Sequence, residues 1–294
     1  MKKRSKVVSV LNLEAPLSNG RPAYVCAASG LVHFKNRFWI ASDDELHLFH
    51  IDPVKDTYAT PVRVFKGDLP LDLQKRKKKK KDFESLMVVA GQGLLALPSG
   101  SKSHRTQGIL FDDKSGKSGC YQVDFSSLYE TLSNYFERLN IEGAVVSSRS
   151  VYLAQRGNSD EGVNALIELD SDAFFQQLKK REFKKALLKS IHFLKLGEIG
   201  GVPLTPTDLC LGRSPTEILL SATAENTKDN YTDGACLGSR LFSYSEELGR
   251  VQQLKFAESV KVEGISYDQK SRTLTYVNDE DDVNVPSELR AVKL

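Results

Sequence analysis

The stretch VEGISYDQKSRTLTYVNDEDD, Val262–Asp282, decides the fold. It opens on an acidic residue, Glu263, that leads a short apolar strand. A turn follows, then a second apolar strand at Leu274–Val277, which runs into an acidic loop. The same order recurs in ASGLVHFKNRFWIASDD from Ala28, FESLMVVAGQGLLALPSGS from Phe83, IEGAVVSSRSVYLAQRGNS from Ile141 and TDLCLGRSPTEILLSATAEN from Thr207. The aligned small or acidic positions are Ser29, Glu84, Glu142, Asp208 and Glu263. The second strands are Phe38–Ala41, Leu94–Leu97, Val151–Ala154, Ile218–Ala222 and Leu274–Val277.

Reading outward, third strands fall at His47–Ile51, Gly108–Phe111, Ala165–Leu169, Arg240–Tyr244 and Leu289–Val292. Fourth strands fall at Pro61–Phe65, Tyr121–Phe125, Ile191–Leu196 and Val251–Phe256. Four strands repeating at a period of roughly 55–65 residues is the pattern of a β-propeller. The fifth repeat ends after three strands, while Val7–Leu13 is a spare strand at the other end of the chain. Pairing the two closes the ring and removes two open sheet edges. The expectation is an all-β, five-bladed propeller spanning residues 1–294, with six blades if an insert hides a degenerate one. Two inserts have helical spacing, Ser126–Leu139 and Asp172–Ser190, and should pack on blade edges; in the first, Leu128, Leu132, Tyr135 and Phe136 form one stripe.

Composition narrows the function classes. The net charge of +3 is too small for a surface built around nucleic acid. No apolar run reaches the length of a membrane span, and the N-terminus has no long apolar segment, so a cytoplasmic location is expected. Cys26, Cys120, Cys210 and Cys236 have neither zinc-site nor disulfide spacing. The run Lys75–Lys81 reads as a solvated, mobile loop, although it leads straight into Glu84 and should overhang the tunnel mouth.

In a propeller the innermost strands line a tunnel, so the five aligned positions should ring its mouth. Four carboxylates crowded there take up protons or bind a cation. With no histidine or cysteine among them, a hard ion with oxygen ligands fits best, and calcium is expected on Ser29, Glu84, Glu142, Asp208 and Glu263. The loops after the second strands should gather Asp43, Asp44, Arg156 and Asp279 as candidate catalytic groups. Lys102, Arg105, Glu225 and Asp281 are candidate contacts to a small anionic substrate.

The motifs ASGL, DFESL, LALPSGS, LAQRGN, SATAEN and KVEGI with NDEDD resemble an uncharacterised bacterial propeller family along nearly the whole chain. The chain is more distantly similar to calcium-activated apyrases, five-bladed propellers that hydrolyse nucleoside diphosphates. That resemblance implies a central calcium at Ser29, Glu84, Glu142 and Glu263, with Asp208 where a serine is expected. The aspartate-rich N-terminal apyrase motif is missing, since Leu11–Asn19 carries only Glu14, and Ser85 stands where apyrases have tryptophan. Similarity to phytase-like and esterase-like propellers is at fold level only. Two functions follow as expectations: a calcium-dependent hydrolase of a phosphate or other anionic ester, or a non-enzymatic scaffold propeller with a structural calcium.

Overall fold

The computed structural model describes residues 5–114, 117–157, 162–184, 187–226 and 234–294. Strand β1 (Lys6–Val10) precedes the first blade, β2 (Ala28–Phe34), β3 (Arg37–Ser42), β4 (His47–Ile51) and β5 (Thr60–Arg63). Helix α1 (Leu73–Lys77) leads to the second blade, β6 (Phe83–Val89), β7 (Gly93–Pro98), β8 (Gln107–Lys114) and β9 (Lys117–Asp124). Helix α2 (Ser126–Leu132) precedes the third, β10 (Ile141–Val146), β11 (Ser150–Gln155) and β12 (Ala165–Asp170), which is completed after α3 (Ser171–Lys180) by β13 (Leu188–Phe193). After the two-residue β14 (Glu198–Ile199), the fourth blade is β15 (Val202–Leu211), β16 (Glu217–Asn226), β17 (Ala235–Ser245) and β18 (Arg250–Glu258). The last is β19 (Lys261–Asp268), β20 (Thr273–Asp279) and β21 (Glu288–Lys293).

Each blade is an antiparallel meander. β1 pairs with β21, Lys6 opposite Ala291 and Val10 opposite Glu288, so the spare N-terminal strand supplies the fourth strand of the last blade as expected. The inner strands β2, β6, β10, β15 and β19 contact one another in a closed cycle. Alternation of side chains along each strand gives every blade two apolar faces, each packed on a neighbour. The core accordingly divides into five clusters, one per blade interface. Val277 and Leu289 meet Ile40 and Phe49 where the last blade closes on the first, for example.

Both inserts pack on the interface of blades two and three, through Leu128, Leu132, Phe136, Phe174 and Leu178. Their extents differ from the expectation. Tyr135 is exposed, and Tyr129 takes the buried place, donating its hydroxyl to the Pro98 carbonyl at 2.6 Å. The second helix stops at Lys180 because Arg181 adopts a left-handed conformation, φ 61°. That reversal lets Phe183 return to the core and leaves Leu188–Ser190 to the outer strand β13. Lys185 and Ala186 of this insert, and Asn158 of the third-blade loop, lie outside the described residues. The basic run is not a solvated loop throughout: Asp72 caps a helical turn by accepting from Lys75 N at 2.8 Å, and Arg76 and Lys80 are buried. Among the described residues no helix is long and apolar enough to cross a membrane.

Candidate cation-binding pocket at the tunnel mouth

Each inner strand carries a β-bulge near its start. The pairing register shifts across Ser29, Glu84, Glu142, Thr207 and Glu263. A bulge re-aims a side chain, here toward the tunnel. The residue after it must be small where the next blade comes close. A Cβ on Gly143 would stand 2.8 Å from Leu209 N, and one on Gly264 would stand 2.7 Å from Leu31 N.

Blade four corrects the expected ring. Its bulged residue is Thr207, and its hydroxyl donates to the Val262 carbonyl at 2.7 Å. Ser29 does the same to the Phe83 carbonyl, so these two hydroxyls each reach the residue before the next blade's glutamate. Asp208 is fully buried one position further along and does not line the cavity. It accepts from Ile265 N at 2.8 Å. The alignment slipped because Asp208 was matched by charge. Counting back two from the first apolar residue, Leu209 in this blade and Ile265 in the last, selects Thr207.

The cavity holds about 270 Å³ and gathers Ser29, Glu84, Glu142, Glu263, Asp43, Asp44, Arg156, Asp279, Arg105, Glu225 and Asp281. Lys102 is not among them; it lines a separate surface groove beside α2 with Ser103 and Arg138. The chain supplies cations of its own to the expected ring. Arg156 lies 2.6 Å from Glu225, 3.5 Å from Glu142 and 4.0 Å from Glu263. Lys261 lies 2.7 Å from Asp281, 3.5 Å from Glu263 and 3.6 Å from Glu225. On the opposite side Lys80 pairs with Asp43 and, at 2.9 Å, with Asp82, which also accepts from Arg105 at 2.7 Å. Arg76 bonds Asp44 at 2.7 Å.

The lining holds ten carboxylates against five basic groups, and Arg76 and Arg21 pair with Asp44 from outside it, so the carboxylates remain in excess. The imbalance shows in the titration of individual groups. Burial tends to raise Asp82 and Glu225, but Lys80 and Arg105 at the first, and Arg156 and Lys261 at the second, hold them below the usual carboxylate range. Burial and then the Glu142 charge push Glu84 well up; burial also raises Glu142 and Glu263. Burial holds Asp279 up to about 8 and Asp44, with Asp43 beside it, up to about 7. Among the described residues, Glu263 Oε1 is buried with no hydrogen-bond donor. Burial pushes the Cys26 thiol up to about 12, which disfavours the thiolate.

One corner offers a compact donor set. Ligand atoms of Asp43, Asp82 and Glu84 all lie within 4.8 Å of one another. Asp82, Lys80 and Lys261 are site residues the sequence reading passed over. For Lys261 a signal was present, since it begins β19 two residues before the bulged Glu263; Asp82 precedes β6 in a left-handed conformation, φ 62°, that alternation does not foresee.

The profile of a family of unknown function (DUF6929) matches residues 24–294. No curated protein matches the chain. Among solved structures, a luciferin-regenerating enzyme is similar at 10% identity and a TM-score of 0.49, covering 92% of both chains. The Myxococcus xanthus glutaminyl cyclase is similar at 10% identity and a TM-score of 0.49, covering 97% of this chain and 99% of its own. A nidogen/laminin complex matches at 11% identity and 0.46, covering 86% and 73%.

Proposed function

The chain belongs to the DUF6929 family, whose function is unknown, and from its own site we propose a calcium-dependent hydrolase of a small ester, with the ion at the tunnel mouth. The observation that carries this reading is the Asp43–Asp82–Glu84 corner on the wall of a cavity with twice as many carboxylates as basic groups. The donors are all hard oxygens, which suit calcium better than zinc. Bound there, calcium would supply a Lewis acid for a substrate oxygen and for water.

The chain's own groups have separate parts. Asp279, held up to about 8, exchanges a proton near neutral pH and is the candidate acid–base group. Arg105 fixes Asp82, and Arg76 fixes Asp44. Arg156 keeps Glu142, Glu225 and Glu263 together. Because both Arg105 and Arg156 are spent on buried carboxylates, an anionic ester would rely on the ion for its charge. The same pairing favours a second reading. Arg156 and Lys261 already staple blades three to five, so the protein could be a binding scaffold in which calcium completes the ring. The four unpaired cysteines suit a reducing compartment, and we place the protein in the cytosol.

Calorimetric titration of chelator-dialysed protein with calcium, followed by an ester and phosphatase panel with calcium or chelator, tests the reading. Binding that Asp43→Asn and Glu84→Gln each weaken at least about tenfold, with turnover that chelator removes, is expected; tenfold is about 1.4 kcal/mol. Binding without turnover selects the scaffold. Absence of both sinks the proposal.

A further inference from the structure

The proposed calcium corner already holds a cation, and it belongs to a strap. Residues 64–82 connect β5 of blade one to β6 of blade two. Leu73, Gln74 and Lys77 contribute to the cavity lining from this segment. Of the consecutive basic residues 75–81, Arg76 and Lys80 are the buried ones, and Lys80 N donates to the Arg76 carbonyl at 2.8 Å. Arg76 folds the strap on itself, donating to the Pro70 and Leu71 carbonyls at 2.8 Å each, and ties it to Asp44 in blade one at 2.7 Å. Arg105 of blade two donates to the Lys77 carbonyl at 3.0 Å. Lys80 places its ammonium between Asp43 and Asp82.

We propose that Lys80 is a built-in competitor for the cation site, so that ion binding and release of the strap are one event. The inference rests on the cation-binding reading and adds its regulation. Two of the three carboxylates that would hold the ion are those that hold Lys80. A divalent ion and an ammonium cannot share that pair, since like charges at such distances repel strongly in a site screened from water. Lys80 is held by its own strap, only two residues from Asp82, and moves out with the strap when the strap's contacts to Asp44 and Arg105 give way. The remaining carboxylates around the cavity keep their cations from Arg156 and Lys261, which sit in blades three and five and need not move.

The test is calcium calorimetry on the wild-type chain, Lys80→Met and Lys78→Met. Lys78 is an exposed residue of the same strap and controls for loss of one charge. An apparent dissociation constant is raised by the fraction of molecules closed to the ligand. If Lys80 occupies the corner in about nine molecules of ten, its removal tightens calcium binding about tenfold. Lys78→Met should stay within about twofold of wild type on the same reasoning. Hydrogen exchange on the wild-type chain gives a readout independent of the variant's folding: saturating calcium should speed exchange of the amides in 73–81. Calcium affinity in Lys80→Met equal to or weaker than wild type overturns the inference, as does strap exchange unchanged or slowed by bound calcium, and either leaves the cation-binding reading intact. No calcium binding by any of the three chains overturns both.

Discussion

The two sides of the tunnel mouth neutralise their carboxylates differently. On the side of blades three to five, the cations Arg156 and Lys261 follow or begin blade strands, so they are as fixed as the sheets themselves. On the side of blades one and two, Lys80 and Arg76 come from a connecting strap, and only Arg105 comes from within a blade. The first arrangement is a permanent staple across three blades. The second is a set of contacts that can be exchanged without opening a sheet. A site of opposite charges thus combines a rigid wall with a replaceable one, and a ligand cation should enter on the replaceable side.

The largest expected effect separates the two walls. Arg156→Met leaves Glu142, Glu225 and Glu263 buried without their shared partner, and breaking a buried charge network costs about 3–5 kcal/mol. Urea unfolding should show that loss. An Arg156→Met protein as stable as wild type would mean that the wall is no staple.

Arg76→Ala should cost less and act locally. It removes two hydrogen bonds within the strap and one from the strap to Asp44, each worth about 0.5–1.5 kcal/mol net. Hydrogen exchange should rise within 70–81 and stay at wild-type rates in the blade strands. Spread of faster exchange into β2 and β6 would erase the distinction between the walls.

Thr207→Val tests the revised ring. The loss of one buried hydroxyl bond to Val262 should cost about 1 kcal/mol in the same unfolding measurement. Calcium affinity should stay near wild type, because Thr207 lies outside the cavity lining.

The last effect is one of pH. Burial raises Asp279 from about 3.9, its ordinary value, to about 8. Between those values the native state keeps a proton that the unfolded chain has released, so stability falls as the pH rises through this window and levels off above it. In chelator, melting at pH 8.5 should lie below that at pH 6, and Asp279→Asn should flatten the difference. A steeper difference in Asp279→Asn would mean that another group carries it.

The blade count, the strand order and the closing role of the N-terminal strand were legible because they follow from local alternation and from one missing strand; the expected Val7–Leu13 strand is Lys6–Val10 in the structure, and it fills the place beside Glu288–Ala291. The bulged glutamates were legible too, since each opens a strand at the same offset. Asp208 was misplaced because matching by charge ignored the apolar register one residue on. The strap was not legible for a different reason. Nothing local distinguishes Lys80 from Lys78 or Lys79 in a run of lysines. Only the fold brings Asp43 and Asp82 to one of them, and burial then selects it. The same holds for Arg156. Its place in the third-blade loop makes it a candidate catalytic group by sequence, but the neighbouring blades surround it with carboxylates.

The central proposal is that the acidic tunnel mouth takes up a cation from solution. Thermal unfolding of chelator-dialysed protein with and without calcium tests it most directly. A ligand that binds only the folded state at about a hundred times its dissociation constant adds about 2.7 kcal/mol, so calcium should raise the melting temperature, and Glu84→Gln should remove most of that rise. A melting temperature unmoved by calcium at millimolar concentration, in protein shown to be free of metal beforehand, would contradict the account.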